Sequence, residues 1–424
     1  MKMRIVLLGL VFWSVNTVAQ QSPVIHKGEL DLSGWNRNVD PVISLNGEWK
    51  FYWQQLVEAR NIESIQNYSF AQLSIPWNEQ TINGKTLPKN GYATYALSIK
   101  LPPNTTSVAF AVPAVFNSYA FWVEDKLICS SGKVATNAKE MIPQWRPQTV
   151  RVEVSSSTIL VLFQIANFQE TRGGCAEVMR IGDTEYLTWL SDTYHLSGYI
   201  LVTFFLLVSL GGVVVYYING IPSFLNLALL CLAFVVRFLF SDLYLAQELG
   251  VIFPWLVAAK IEYITIPLIV ITATMFMSGI YPKEFKATVA NLTIALCILL
   301  MVVVILVPSH LLSPVLVILQ ITGLLFTLYV LYVIIRALLI HRSGAWVSAL
   351  SMGTFAMVGF YNIYAFILVL DLNRTVIDIG YAIALILSVI SLLYRTPLRL
   401  QSEEHNMLRY DDLFHNGKEN AQKR

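Results

Sequence analysis

The chain has 424 residues, of which 55% are hydrophobic and only 13% are charged. This composition is too apolar for a water-soluble globular fold, so we expect a membrane protein. The formal net charge is only +2 and no basic stripe occurs in the sequence, which argues against nucleic acid as a partner.

The first 19 residues have the features of an export signal. Lys2 and Arg4 precede a short apolar run, and small residues follow it up to Ala19. The run has about nine residues, whereas a membrane span needs about 20, so a retained anchor is the weaker interpretation. We therefore predict a signal peptide at 1–19 and an exported domain after it.

Residues 20–190 form the predicted exported domain. Short segments of alternating polar and apolar residues end at turn residues, for example 94–99 before Pro102 and 159–165 before Asn167. No helical period of useful length interrupts this pattern. It predicts an all-β sandwich of about 170 residues, large enough to have its own core.

Two of the four cysteines, Cys129 and Cys175, lie in this exported part. A disulfide is chemically allowed outside the cytoplasm, so a bridge between them is one prediction. Two separate, buried thiols are the alternative, because the sequence alone does not give the distance between them.

Seven apolar segments follow, and each is long enough to cross a membrane. Between residues 193 and 395 the chain has only eight Lys or Arg and six Asp or Glu. The separators are short, and aromatic residues gather near the segment ends, as is typical of membrane interfaces. The predicted spans are 195–218, 222–241, 252–277, 288–307, 314–339, 345–369 and 374–395. We predict an all-α seven-helix transmembrane domain at 193–396 and a short tail at 397–424.

The positions of the basic residues predict the orientation. Loops on the predicted cytoplasmic side carry Lys283, Lys286, Arg336 and Arg342, whereas Arg374 alone lies on the other side. We therefore expect a multi-pass membrane protein with the N-terminal domain outside the cytoplasm and the C-terminus inside it. The tail is too short for a folded catalytic domain.

Aromatic residues in the exported domain are candidates for ligand contact. Sugars bind to aromatic faces with hydrogen-bonding groups at the rim, so an exposed Trp beside a polar side chain would suit a glycan. The alternating aromatic residues at 49–53 share one strand face and are more naturally core residues. The residues near turns are the better candidates: Trp122, Trp145, Arg146 and Arg172.

Four charged residues in the predicted spans need a reason, because each costs about 2.5–3.5 kcal/mol on insertion scales. Glu262 is the deepest, about ten residues into the third span. Arg237 and Asp378 lie nearer the external ends, and Lys260 is on a different helix face from Glu262. One interpretation is intramembrane coupling through an Arg237–Glu262 pair or a wider cluster with Asp378. The alternative is structural packing, with Arg237 reaching the interface and Glu262 held by hydroxyl groups.

The sequence contains none of the enzyme motifs for which we searched. These include His-Glu-x-x-His, Gly-x-Ser-x-Gly, a Walker loop and paired Cys-x-x-Cys motifs, and the seventh span has no lysine for a retinal Schiff base. We predict no catalytic residue, no metal site and no cofactor, and we expect that the protein is not an enzyme.

Motifs in both halves resemble those of one bacterial receptor family. In the exported half they are DLSGWNRNVDPVISLNGEWKFYW (31–53), GYATYALSIKLP (91–102) and VLFQIANFQETRGG (161–174). In the membrane half they are VRFLFSDLYL (236–245), AKIEYITIPL (259–268) and LLYRTPLRLQ (392–401). In this order, over residues 25–400, the chain resembles bacterial seven-transmembrane receptors with diverse intracellular signalling modules.

The resemblance implies a jelly-roll sensor, similar to the sugar-binding domains of β-galactosidase-type enzymes, that signals through seven helices. Most relatives have an enzymatic output domain after the last span, whereas this sequence has only the short tail. We therefore expect a receptor for an external small molecule or glycan that acts on a separate cytoplasmic signalling protein, with homodimerisation left open. The alternative is a transporter-associated or envelope-assembly protein whose exported domain docks a substrate or partner protein.

Overall fold

The computed structural model describes residues 24–241, 244–251, 253–368 and 374–394. They form an N-terminal β domain followed by a bundle of α-helices. The predicted signal peptide at 1–19 and the predicted tail at 397–424 lie outside the described residues.

The β domain consists of two larger sheets and one hairpin. The first sheet has the strand order β10-β9-β12-β7-β3-β4, and β1 pairs in parallel with one end of β7; the second has the order β11-β8-β13-β2; β5 and β6 form the hairpin. The strands are β1 Glu29–Asp31, β2 Val42–Ser44, β3 Glu48–Trp53, β4 Ser69–Gln72, β5 Thr81–Ile82, β6 Lys85–Thr86, β7 Gly91–Lys100, β8 Ser107–Val112, β9 Ser118–Val123, β10 Lys126–Ser131, β11 Gln148–Glu153, β12 Thr158–Asn167 and β13 Arg180–Gly182. This confirms the predicted all-β domain.

The core of the β domain lies between the two larger sheets. Trp49 and Phe51 alternate on β3 and are buried there, whereas Tyr52 is buried on the opposite face beneath the 3₁₀ turn Ala59–Ser64. The central strands β7 and β12 pair over ten residues, with almost continuous burial along both. Burying a large apolar side chain contributes about 1.5–3 kcal/mol, so this core stabilises the domain independently of the helices.

The helical part begins directly after β13. Its helices are α1 Thr184–Asn219, α2 Pro222–Phe240, α3 Leu245–Glu248, α4 Trp255–Ile280, α5 Ala287–Leu306, α6 Leu312–Leu339, α7 Ala345–Leu368 and α8 Arg374–Tyr394. In the described part of the chain, six helices are long and apolar enough to cross a membrane, namely all except α3 and α7. The helix α7 coincides with the sixth predicted span. The protein is therefore a multi-pass membrane protein.

The helix α1 is longer than the sequence pattern predicts. The predicted span starts at residue 195, but the helix starts at Thr184 and runs for 36 residues. Glu185 and Asp192 make this first part too polar to be recognised as a span, yet nothing in it breaks a helix. The result is a helical extension between the β domain and the apolar part of the bundle.

Small residues allow α1 and α2 to approach closely. A Cβ added to Gly212 would lie 2.9 Å from the carbonyl oxygen of Phe224 and 3.1 Å from the Cβ of Ala228. The Ser209 hydroxyl, one turn earlier, donates to the carbonyl of Ala228 at 2.8 Å. Small side chains and interhelical hydrogen bonds are the main means of helix association in membranes, so this contact fixes α1 against the bundle.

Candidate functional site

The β domain and the bundle meet at one end of the helices, which we call the proximal end; the opposite end is the distal end. The first connection is covalent. Asp183 alone separates β13 from α1, and its carboxylate accepts hydrogen bonds from the backbone N–H groups of Glu185 and Tyr186, both at 3.1 Å. A capped helix that continues a sheet strand leaves little room for a hinge. The Thr184 hydroxyl also bonds to Ser107 on β8 at 3.1 Å.

The second connection is made by Trp145 in the segment between β10 and β11. Its ring packs edge-on against Trp255 at the start of α4, with ring centroids 5.4 Å apart, and lies 6.3 Å from the ring of Tyr244 before α3. Gln247 of α3 donates to the carbonyl of Trp145 at 3.1 Å. Aromatic pairs of this kind contribute about 0.5–1.5 kcal/mol each beyond the buried area.

Arg146 adds a charged contact beside this aromatic cluster. Its Nη2 lies 3.3 Å from Oε1 of Glu248 on α3. The backbone carbonyl of Arg146 accepts from the hydroxyl of Tyr119, which is buried on β9, so the segment is tied to the β core. A displacement of β9 would therefore reach the α2–α4 connection through two adjacent residues.

The third connection depends on the loop after β12. Asn167 is fully buried, and its amide donates to the carbonyls of Lys89, Glu170 and Arg172 at 2.8–3.1 Å. Its oxygen accepts from the backbone N–H groups of Gln169 and Glu170 at 3.2 and 2.9 Å. One side chain thus determines the shape of the whole loop and directs Glu170 towards the helices.

Glu170 bridges the loop to the bundle. Its side chain accepts a hydrogen bond of 3.0 Å from Ser313 at the start of α6, and only 3% of the residue is exposed. Its second oxygen, Oε1, is buried without a hydrogen-bond partner in the described part of the chain. Burial raises the pKa of Glu170 above its usual value; the bonds from Ser313 and Thr171 and the charge of Lys89 only partly offset this effect.

Below this contact the structure brings Arg237 of α2 and Glu262 of α4 together. Arg237 Nη2 lies 3.8 Å from Glu262 Oε1, and Nη1 donates to the backbone carbonyl of Glu262 at 3.1 Å and to the Thr265 hydroxyl at 3.4 Å. This pair joins α2 to α4 inside the bundle.

The other two predicted intramembrane residues lie elsewhere. Lys260 donates to the carbonyl of Ile305 at 2.6 Å and so caps the end of α5 rather than joining Glu262. Asp378 of α8 lies 3.6 Å from Arg374 and accepts from Ser197 of α1 at 2.6 Å. Asp378 therefore links the first and last helices.

The four predicted ligand residues fall into two groups. Trp145 and Arg146 lie in the contact with the bundle. Trp122 lies on the outer face of β9 and donates to Gln164 on the neighbouring strand at 3.2 Å, and Arg172 pairs with Glu79 at 2.7 Å in an exposed position. The structure therefore does not bring the four together.

For the two exported cysteines the structure shows the second alternative, two separate, buried thiols. Cys129 and Cys175 are both free and buried. The Cys175 thiol donates to the carbonyl of Glu177 at 3.1 Å, and Cys129 lies beside the hydroxyl of Tyr119. Burial raises the pKa of each thiol to about 12, so both are protonated at neutral pH. Each has its own polar neighbour, and no bridge joins them.

Sequence reasoning did not identify Glu170, Asn167 or the short helix α3. Glu170 and Asn167 both occur in the motif at 161–174. An Asn followed by a short polar loop is typical of a turn in which the Asn side chain hydrogen-bonds to the backbone. Gln247 and Glu248 lie between two apolar segments, and no sequence pattern marks such residues as contacts of another domain.

In the described part of the chain, no group of three or more His, Cys, Asp or Glu side chains is arranged to hold a metal ion.

Taken together, the fold is a multi-pass helical bundle with an all-β domain docked on its proximal end. Residues 193–395 match the model of a family described as 7TM diverse intracellular signalling. The helical part of the chain therefore fits this family of transmembrane receptors, which confirms the resemblance seen in the sequence. The family is one of receptors and not of enzymes.

Solved structures similar to this chain include three glycoside hydrolases. They are a GH2 β-galacturonidase from Eisenbergiella tayi bound to galacturonate (11% identity, 34% of this chain and 24% of that chain, TM-score 0.25), a β-glucuronidase from Ruminococcus gnavus (12%, 33% and 28%, TM-score 0.25) and a GH2 member from Bacteroides cellulosilyticus DSM 14838 (13%, 34% and 20%, TM-score 0.27). The chain spans about a quarter of the length of these enzymes. A likeness at this level carries no functional argument. Curated proteins gave no match.

Proposed function

We propose that the protein is a sensory receptor in which the β domain binds an external small molecule or glycan and the helices carry the resulting movement to a cytoplasmic signalling partner. The observation that supports this most is the domain interface. The β domain contacts the start of α1, the α2–α4 connection and the start of α6 through three different segments.

This interface suits the transmission of a movement. A ligand shifts a conformational equilibrium only by the difference between its affinities for the two states. The interface is built from two strand-connecting segments, around Trp145 and Glu170, and from a helix that continues β13. A rearrangement of the sheets therefore changes contacts at three helices at once, without requiring a ligand to touch any helix.

In this proposal the predicted ligand residues divide by position. Trp122 and Arg172 stay candidates for ligand contact, because their side chains pair within the β domain, with Gln164 and Glu79, and not with the bundle. Trp145 and Arg146 are assigned to coupling instead. The Arg237–Glu262 pair joins α2 to α4 beneath the interface, and we assign it to the same coupling.

We also propose that the β domain is periplasmic and that the distal ends of the helices face the cytoplasm of the bacterial inner membrane. The supporting observation is that Lys283, Lys286, Arg336 and Arg342 lie in or beside distal connections. A phosphatase fused after residue 424 should be inactive, and a fluorescent protein fused there should be bright. An active phosphatase fusion would reverse this orientation.

The full chain in lipid nanodiscs is first screened for binding to a panel of saccharides and metabolites. The proposal is then tested by hydrogen exchange with and without a compound that binds. A bound compound should change exchange in 244–251 and at the start of α6 as well as in the β domain. The double variant Trp145→Ala, Arg146→Ala should still bind the compound but lose the change in 244–251. Trp189→Ala is the matched control, because Trp189 is 59% exposed on α1. A change confined to the β domain in the wild-type chain would contradict the proposal.

A further inference from the structure

A cavity of about 430 Å³ lies in the bundle between α2, α4, α6, α7 and α8. Its volume is in the range of small-molecule binding sites. The lining is predominantly apolar and comes from the membrane-spanning parts of these helices. The cavity extends from Arg237 near the proximal end to Ile280 at the distal end of α4, so it is elongated along the helices.

The polar groups of the lining are unevenly distributed. At the distal end, the lining serines hydrogen-bond to each other between α7 and α8: Ser348 to Ser391 at 2.5 Å and Ser351 to Ser388 at 2.8 Å. At the proximal end the lining includes the guanidinium of Arg237. Among the described residues that line the cavity, Arg237 alone is charged, and it lies at the proximal end.

Arg237 retains capacity for a further partner. A guanidinium has five N–H bonds, and the contacts with Glu262 and Thr265 engage only its two terminal nitrogens. Gln320 of α6 also lines the cavity, eight residues after Leu312 and so about 12 Å from the start of that helix. Glu262 is seven residues after Trp255, or about 10 Å from the start of α4. The Gln320 amide and the Arg237 guanidinium thus lie at similar depths.

Glycines in the lining keep the cavity open. A Cβ added to Gly323 of α6 or Gly359 of α7 would meet no atom within 4 Å. At Gly212, by contrast, a Cβ would clash with the neighbouring helix, so that glycine serves close packing. The glycines at 323 and 359 face open space inside the bundle instead.

We propose that this cavity binds a single-chain carboxylate, a long-chain fatty acid, with its head at Arg237 and Gln320 and its chain directed towards the distal end. Each buried methylene of an acyl chain is stabilised by about 0.8 kcal/mol, which suits an elongated apolar lining. A carboxylate matches a guanidinium and an amide that line the same cavity at similar depths. A phospholipid, with two chains and a bulky head, does not match a cavity of about 430 Å³ whose charged residue lies three positions inside the end of α2. This site is independent of the ligand proposed for the β domain.

The binding test uses the full chain in nanodiscs of zwitterionic lipid and a photoreactive palmitate analogue, with the labelled peptides mapped by mass spectrometry. Wild-type labelling should fall on the lining helices α2, α4, α6, α7 and α8 and should be competed by palmitate. Gly359→Leu fills the cavity and should reduce labelling at least tenfold. Gly353→Leu is the matched control, because Gly353 is on the same helix, also faces open space and does not line the cavity. Equal labelling of the two variants, or labelling mainly on α1 and α5, which do not line the cavity, would overturn the proposal.

The head group is tested separately. Arg237→Gln should weaken palmitate binding about tenfold or more, because a hydrogen bond to a charged group is lost. Glu262→Gln should strengthen it, because an acidic competitor for Arg237 is removed. If Arg237→Gln does not fold, the role of the carboxylate is tested by competition for photolabelling of the wild-type chain. Palmitate should then reduce the labelling much more than hexadecanol does. Equal competition by the alcohol, or better competition by a phospholipid, would show that the carboxylate assignment is wrong.

Discussion

Replacing Trp145 by alanine should loosen the docking of the β domain on the bundle. Trp145 contacts two aromatic rings across the interface, Trp255 at 5.4 Å and Tyr244 at 6.3 Å between centroids. At about 0.5–1.5 kcal/mol for each pair, the loss is about 1–3 kcal/mol. The ratio of docked to undocked molecules should then fall about 5- to 150-fold. The hydrogen bond from Gln247 to the Trp145 carbonyl is a backbone contact and survives the substitution.

The assay is hydrogen exchange of residues 244–251 in the full chain, because local opening exposes these amides. Exchange in the Trp145→Ala variant should be faster by the factor given above, while exchange in the β core strands should be unchanged. Trp145→Phe, which keeps one ring, should be intermediate. The control Trp189→Ala removes an exposed ring whose ring contact is with Tyr186 on the same helix, and not with the bundle side of the interface. Faster exchange in the control, or none in Trp145→Ala, would refute the reasoning.

Three further predictions concern the polar residues. Docking should be stronger at acid pH than at neutral pH, because burial raises the pKa of Glu170 above 4.5. The stability that Glu170 contributes to docking is therefore full below that value and is lost as pH rises through the folded-state pKa. Glu170→Gln should flatten the pH profile of hydrogen exchange between about pH 4 and 8, and an unchanged profile would contradict this. Asn167→Ala removes an amide that donates to nearby carbonyls and accepts from two backbone N–H groups, and it should cost at least about 2–3 kcal/mol in thermal unfolding. The exposed control Asn38→Ala should cost under about 0.5 kcal/mol, and equal losses would be evidence against the loop argument. A double-mutant cycle of Arg237→Gln and Glu262→Gln on unfolding of the full chain should give a coupling of about 0.5–3 kcal/mol, and additive losses would mean that the 3.8 Å pair is not energetically coupled.

The fold was largely predictable because hydrophobic periodicity is a strong local signal. Two-residue alternation identified the β domain, and apolar length identified the membrane helices. The start of α1 was missed because a membrane prediction follows apolar composition, and the first residues from Thr184 are polar although they are helical. Hydropathy indicates which part of a helix lies in an apolar environment, and it does not indicate the residue at which the helix begins.

The site was less predictable because docking contacts join residues that are far apart in the sequence. Trp145 was selected for its aromatic ring, but the ring faces Trp255, which is 110 positions later. Lys260 and Glu262 are two residues apart, and their helix faces differ, so their partners differ. The helical period predicts that separation, but it does not identify the partner on another helix. Glu170 has no motif of its own, and its role depends on the loop that Asn167 shapes.

The most direct test of the central account is the distance distribution between spin labels on the β domain and on the bundle. Leu127 on β10 and Ile318 on α6 are exposed labelling positions, and the four native cysteines are buried and so should not compete for the label. In the full chain in nanodiscs, electron paramagnetic resonance should give a single narrow distance population. The double variant Trp145→Ala, Glu248→Ala should broaden it. A wild-type distribution as broad as that of the variant would mean that the two domains are not docked, and coupling through this interface would be wrong.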